Sequence, residues 1–315
     1  MSLNHNKKLV AILGGRLYQN SLTLQKFLIP SIRKKLYEEN IDFVIATNNK
    51  KAASQFKQLS DVKLIECTDD FHEQFINRQR EEKPNLGAET REIINQYAIE
   101  KKYEFVLYLD DNIQKILYTK NGKRYCIKKQ PIVFFHTIML LFSLAENTNS
   151  GAIGIEMGAF APKKNNEEPK LTVGFAYSFF VHKVDKNFIF ENATEEDILM
   201  NIYNGYNKKP SLLLRNSIVY CKTGKKTAGG GNRKLYNEML KENKRGAYVN
   251  KIFPHIYTMK VSYNVISSTN QKKPMLQHKH TLKKPKEWDN YVQYDRLKVY
   301  NILSRYKQII ETNFL

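Results

Sequence analysis

Cysteine is scarce in this chain of 315 residues: Cys67, Cys126 and Cys221 are the only three. They are widely spaced and form no Cys-x-x-Cys pair, which argues against a disulfide framework and against a thiolate zinc site. Tryptophan is present once, at Trp288. Long apolar runs are missing too. The most apolar stretch, Pro131–Ala145, contains a histidine and falls short of the roughly 20 residues that a bilayer span requires. Near the N-terminus the apolar run Leu9–Leu13 is too short for the core of a signal peptide. Internal repeats, heptads and long low-complexity linkers are absent. These absences lead us to expect a soluble, cytoplasmic protein with no membrane partner.

Acidic residues are in deficit. Lys and Arg number 51 against 31 Asp and Glu, for a net charge of +20. An excess of that size points to a polyanionic partner: nucleic acid, a membrane surface or a phosphorylated ligand. Three stretches hold eighteen of these net charges: Lys120–Lys129, Lys222–Lys251 and Gln271–Lys286. Apolar residues make up 42% of the chain and aromatics 12%, enough to build a packed core and to exclude disorder as the main state.

Patterning indicates an α/β fold. Short apolar runs at Leu9–Leu13, Asp42–Thr47, Lys63–Cys67 and Phe105–Leu109 read as strands, the last buried on both faces. Between them, Leu22–Glu39 and Ala88–Lys101 carry helical spacing, so βαβ units and a mostly parallel sheet are expected. Further along, Val133–Ala145 and Glu195–Tyr203 read as helices, and Gly151–Phe160, Leu171–His182 and Leu212–Cys221 as strands. Lys163–Lys170 reads as a loop and Trp288–Leu315 as a terminal helix.

Four groups of residues could carry chemistry. Asp110, Asp111 and Asn112 end the Phe105–Leu109 strand at the sheet's carboxyl edge, where ligands of open α/β sheets sit. Adjacent carboxylates suit Mg²⁺ or Mn²⁺, although the same residues also make ordinary turns. Glu195, Glu196 and Asp197 could supply a general base; equally, acids favour a helix's first turn, and Thr194 with Asp197 looks like a capping box. Lys222, Lys225, Lys226, Gly229, Gly230, Gly231, Asn232 and Arg233 form a basic glycine loop fit to meet phosphate, but without Walker A spacing. Gly14, Gly15 and Arg16 after the first strand could admit a nucleotide, or simply end the strand. The His278-x-His280 pair and His255 lack a clear third ligand, and Trp288 could stack on a base.

The order of these motifs over about Leu9–Lys234 resembles the TET/JBP-associated glycosyltransferases, which include the base J glucosyltransferase and bacteriophage DNA-modifying enzymes. The resemblance implies a GT-A-like nucleotide-sugar-binding domain over 1–235; it does not cover the remainder, 236–315, which reads as a basic, partly helical region that packs on that domain. It further implies Asp110, Asp111 and Asn112 as metal ligands and Glu196 or Asp197 as the catalytic base. Gly14, Gly15, Arg16, Asn48 and Arg91 would contact the donor, and the 222–233 loop the acceptor. The implied reaction moves a sugar from a UDP-sugar, with UDP-glucose the expected donor, to a hydroxymethylated pyrimidine in DNA. Asn232 stands where some members carry Cys. A metal-dependent nuclease or nucleotidyltransferase, or a DNA-binding protein without catalysis, is the alternative.

Overall fold

The computed structural model describes residues 6–80, 85–121, 123–158, 168–222, 246–266 and 273–315. Its first strand, β1 (Lys8–Leu13), pairs in parallel with β2 (Ile41–Thr47) on one side and β4 (Phe105–Asp110) on the other, while β3 (Lys63–Glu66) adds in parallel to β2. Alternate residues of β1 serve two cores: Val10 and Ile12 face one layer, Leu9 and Ala11 the other. A strand buried on both faces reads as a continuous apolar run, and this one does.

The sheet continues as β9 (Phe179–Lys183), β7 (Ala152–Met157), β10 (Leu212–Lys222), β5 (Ile113–Lys120) and β6 (Lys123–Cys126), with β8 (Lys170–Val173) also on β10. This is the expected α/β class, with most strands running in one direction. The departures are β9, β5 and β8, which run against their neighbours. A separate antiparallel pair joins β11 (Tyr257–Ile266) to β12 (Lys273–Leu282).

Helices begin where the chain supplies caps. Asn49 accepts from the amides of Lys51 and Ala52 at the start of α3 (Lys50–Phe56), and Thr68 and Asn85 do the same for α4 (Asp69–Asn77) and α5 (Leu86–Glu100). The single helix expected over Leu22–Glu39 is two, α1 (Leu22–Lys26) and α2 (Pro30–Glu38), because Pro30 can start a helix but not continue one. The capping box at Thr194 does not form: Glu195, at φ +63°, precedes α7 (Glu196–Tyr206), and the Thr194 hydroxyl accepts from the Gly246 amide instead.

The terminal helix is also shorter than expected. A 3₁₀ segment, Lys286–Tyr291, precedes the α-helix Arg296–Asn313, which packs on α6 (Gln130–Glu146) through a 2.7 Å bond between Thr137 and Tyr306. Trp288 lies in the core, not on a base-binding surface, over Gly205 of α7. The side chains of His278 and His280 and the boundary near residue 235 lie outside the described residues. No helix among the described residues is long and apolar enough to cross a membrane.

Candidate functional site

β4 delivers Asp110 to the carboxyl edge, and the chain passes through Asp111 and Asn112 directly into β5. That crossing is braced from α1. Thr23 donates its hydroxyl to the Asp110 carbonyl at 2.6 Å, accepts from the Ile113 amide at 3.1 Å and donates its own amide to the Asp111 carbonyl at 3.2 Å. Ser178, at φ +54°, closes the other side, its carbonyl accepting from the Asp110 amide at 2.9 Å.

Three cationic side chains converge on the two carboxylates. Arg91 donates to Asp110 at 3.2 Å, and Lys222 donates to both Asp110 and the Ser178 hydroxyl, the latter at 2.8 Å. Arg16 donates to Asp111 through its guanidinium and, at 3.0 Å, through its amide. Burial pushes the Asp110 carboxyl up, but Lys222 and Arg91 outweigh it and hold the group below the usual carboxylate range. Asp111 has the opposite outcome: burial raises it to about 6, Arg16 opposing and Asp110 adding to the rise.

Beneath this pair, Arg91 also reaches Glu196, whose second oxygen accepts from Asn85 at 2.7 Å. Both Glu196 oxygens are therefore engaged, one in a buried ion pair and one by a neutral amide. Asp197 differs. It is partly exposed, close enough to Arg91, Asp110 and Lys222 for their charges to act on it, and burial raises its carboxyl to about 6 with Arg91 opposing.

The fold brings together seven of the residues that the sequence points to: Arg16, Arg91, Asp110, Asp111, Glu196, Asp197 and Lys222. Their surroundings revise several of the roles. Arg91 is buried between two carboxylates, so it is aimed at them and not at a donor. Gly14 is closed by packing, since a Cβ there would meet Ile45 at 2.7 Å and Phe56 at 2.9 Å. Gly15 is open, since a Cβ there would come no closer than 3.9 Å to Asp111 Oδ2. Asn48 stands apart from the aspartates and donates to Glu89 at 2.7 Å. Lys225, Lys226, Gly229, Gly230, Gly231, Asn232 and Arg233 lie outside the described residues. Thr23 and Ser178 carry no signal in the sequence; their role comes from distant contacts, with Asp110 87 residues away for Thr23 and with Asp110 and Lys222 for Ser178.

The donor set suits a hard divalent cation. Asp110 and Asp111 offer carboxylate oxygens, now engaged by Arg16, Arg91 and Lys222, and Asn112 Oδ1 is buried with no hydrogen-bond partner. A second cluster lies at the ends of β2 and β3, where Cys67, His72 and Glu89 meet. Burial, followed by the charge of Glu89, pushes the Cys67 thiol up to about 12, so alone it is no nucleophile.

No family and no curated protein matches the sequence. Among solved structures, a mannose-1-phosphate geranyltransferase from Thermus thermophilus aligns at 12% identity and a TM-score of 0.30, over 69% of this chain and 58% of that one. A UDP-glucose pyrophosphorylase variant from Leishmania major aligns at 9% identity and a TM-score of 0.27, over 87% and 58%. The chain therefore spans less than two thirds of either, and likenesses at these scores carry no argument about activity.

Proposed function

We propose that this chain is a metal-dependent glycosyltransferase, one that moves a sugar from a UDP-sugar to the hydroxymethyl group of a modified pyrimidine in DNA. The observation that carries the reading is the convergence of Arg16, Arg91 and Lys222 on adjacent carboxylates at the sheet's carboxyl edge. The resemblance to the TET/JBP-associated family belongs to the same proposal.

In this reading Asp110 and Asp111, with Asn112 beside them, hold Mg²⁺ or Mn²⁺, which when bound offsets charge on the donor diphosphate. Arg16 and Lys222 are the only two of the three cations with appreciable exposure, so they turn from the carboxylates to the phosphates. Arg91 stays with Asp110 and Glu196 and keeps the aspartate ionised. Asp197 takes the proton of the attacking hydroxymethyl as its oxygen bonds to the anomeric carbon. The bond from that carbon to the diphosphate breaks, and the nucleoside diphosphate leaves with the electron pair.

An acceptor surface is supported by the hairpin of β5 and β6, which starts at the carboxylates. Lys115, Lys120, Lys123 and the ring of Tyr125 are exposed on it, and Lys128 and Lys129 are exposed just beyond it. Lysines at such positions suit backbone phosphates, and a tyrosine suits an unstacked base. Bringing the hydroxymethyl group to Asp197 requires the base to leave the stack, at a cost of a few kcal/mol.

The test is a donor screen with DNA containing hydroxymethylated pyrimidines, read by mass spectrometry of the digested nucleosides. A hexose-sized gain that requires both donor and divalent cation is expected. Asp111→Ala should abolish the gain and leave DNA binding within about twofold. Absence of the gain and of donor hydrolysis with every common nucleotide-sugar overturns the reading.

A further inference from the structure

Cys67, His72 and Glu89 come from three elements and meet at one point. Cys67 follows β3, its amide donating to the Thr47 carbonyl at 3.0 Å. Thr68 caps α4, which sets His72 one turn into that helix, and Asn85 caps α5, which sets Glu89 one turn into the other. Glu89 is fully buried. Its Oε1 lies 2.6 Å from His72 Nδ1 and 3.4 Å from Cys67 Sγ, and Asn48 holds Oε2 at 2.7 Å. One donor atom from each of the three residues falls within 4.8 Å of the others.

A metal shell lies a small adjustment away from that spacing: Oε1 and Sγ already stand 3.4 Å apart, and the 2.6 Å hydrogen bond between Oε1 and Nδ1 would open to admit an ion. With metal–ligand bonds of about 2.0–2.3 Å, the ligands of a tetrahedral ion sit about 3.3–3.8 Å apart. Among the described residues the side-chain partners of this buried carboxylate are a histidine, a thiol and an amide, with neither lysine nor arginine, which leaves His72 or a bound cation to balance its charge. Beside the cluster opens a cleft of about 230 Å³, lined by Thr47, Asn48, Asn49, Thr68 and His72 among others, with room for solvent to act as a fourth ligand.

We propose that Cys67 Sγ, His72 Nδ1 and Glu89 Oε1 form a zinc site, separate from the aspartate pair, with its fourth position open to this cleft. The chemistry of the donors selects the ion. Thiolate and imidazole favour Zn²⁺ and its borderline relatives over Mg²⁺, whereas Asp110 and Asp111 favour the reverse. On binding, the Cys67 thiol proton passes to solvent and His72 coordinates as the neutral ring. Asn48 fixes the remaining carboxylate oxygen, so that Oε1 is the one presented. The wide spacing of the cysteines argues against a thiolate zinc site, but spacing along the chain does not register a mixed site assembled from three elements.

Co²⁺ is the probe, because a cobalt–thiolate bond gives a charge-transfer band in the near ultraviolet. The full chain carrying Cys126→Ser and Cys221→Ser, stripped with a chelator, keeps Cys67 as its sole thiol. We expect one equivalent of Co²⁺ to produce that band together with the visible bands of a four-coordinate ion. Zn²⁺ should erase both and Mg²⁺ neither. Cys67→Ser should remove the charge-transfer band, and His72→Ala and Glu89→Gln should each weaken Co²⁺ binding at least about tenfold. Circular dichroism checks the fold of each variant, and if Glu89→Gln unfolds, the other two decide. The absence of the band, or its survival in Cys67→Ser, overturns the proposal. Sugar transfer is not part of this readout, so the outcome is independent of the donor screen.

Discussion

Glu196 has both carboxylate oxygens engaged, one by Arg91 and one by Asn85, whereas Asp197 beside it keeps a partly exposed side chain and a carboxyl raised to about 6. A group held near neutrality can both take and give up a proton, which a tightly paired carboxylate cannot do at ordinary pH. With Asp197 as base, kcat/KM should climb as pH rises through about 6. Asp197→Asn should remove that limb along with most of the activity. The same shift has a stability consequence of definite sign. A carboxyl raised from its ordinary 3.8 holds a proton in the folded chain that the unfolded chain has already released, so stability falls as pH rises through that interval. Asp197→Asn should therefore raise the thermal midpoint at about pH 7.5, and the gain should vanish below about pH 4. A midpoint unchanged at neutral pH would contradict the raised value.

Two elements close on each other only because a side chain is missing between them. A Cβ on Gly205 would fall 2.2 Å from the Trp288 ring, so α7 and the 3₁₀ segment could not approach as they do with any larger residue there. Gly205→Ala should lower unfolding free energy by about 1–3 kcal/mol, the usual cost of overpacking. Denaturation followed by emission of the sole tryptophan would read both the loss and the altered ring environment. The apolar runs that form β1, β2, β4 and β10 are legible in the sequence, as is the placement of Asp110 and Asp111 after one of them, because a fully buried strand leaves an unbroken apolar signature. Pro30 is an available signal for the break between α1 and α2, outweighed by helical spacing on both sides. The reversed direction of β9 is not legible, since strand direction depends on partners and not on composition. Arg91 can be named from the sequence, but its role cannot: its partners lie 19 and 105 residues away.

At the scale of the molecule, the net charge of +20 is unevenly spread, and Lys120–Lys129, which runs from the end of β5 through β6, carries five basic residues and no acid. If that stretch grips a nucleic acid backbone, affinity should fall steeply with salt. Replacing Lys123, Lys128 and Lys129 by alanine should flatten the plot of log affinity against log salt by about 2–3 units, near 0.9 for each phosphate no longer neutralised. An unchanged slope would put the binding surface elsewhere on the molecule. The charge total is legible at once. Its link to the carboxylates is not, because that link is a strand, β5, whose lysines mask its apolar alternation.

That link sets a limit on how the protein could work. Asn112 is followed at once by β5, so the peptide that carries the carboxylates is continuous with the peptide that carries the hairpin's lysines, and no joint lies between them. Reach is then built in. A strand seated on the hairpin would present its bases at a set offset from Asp110 and Asp111, and the protein would work as a gauge: the nucleotide that happened to stand at that offset would be modified, and its neighbours passed over.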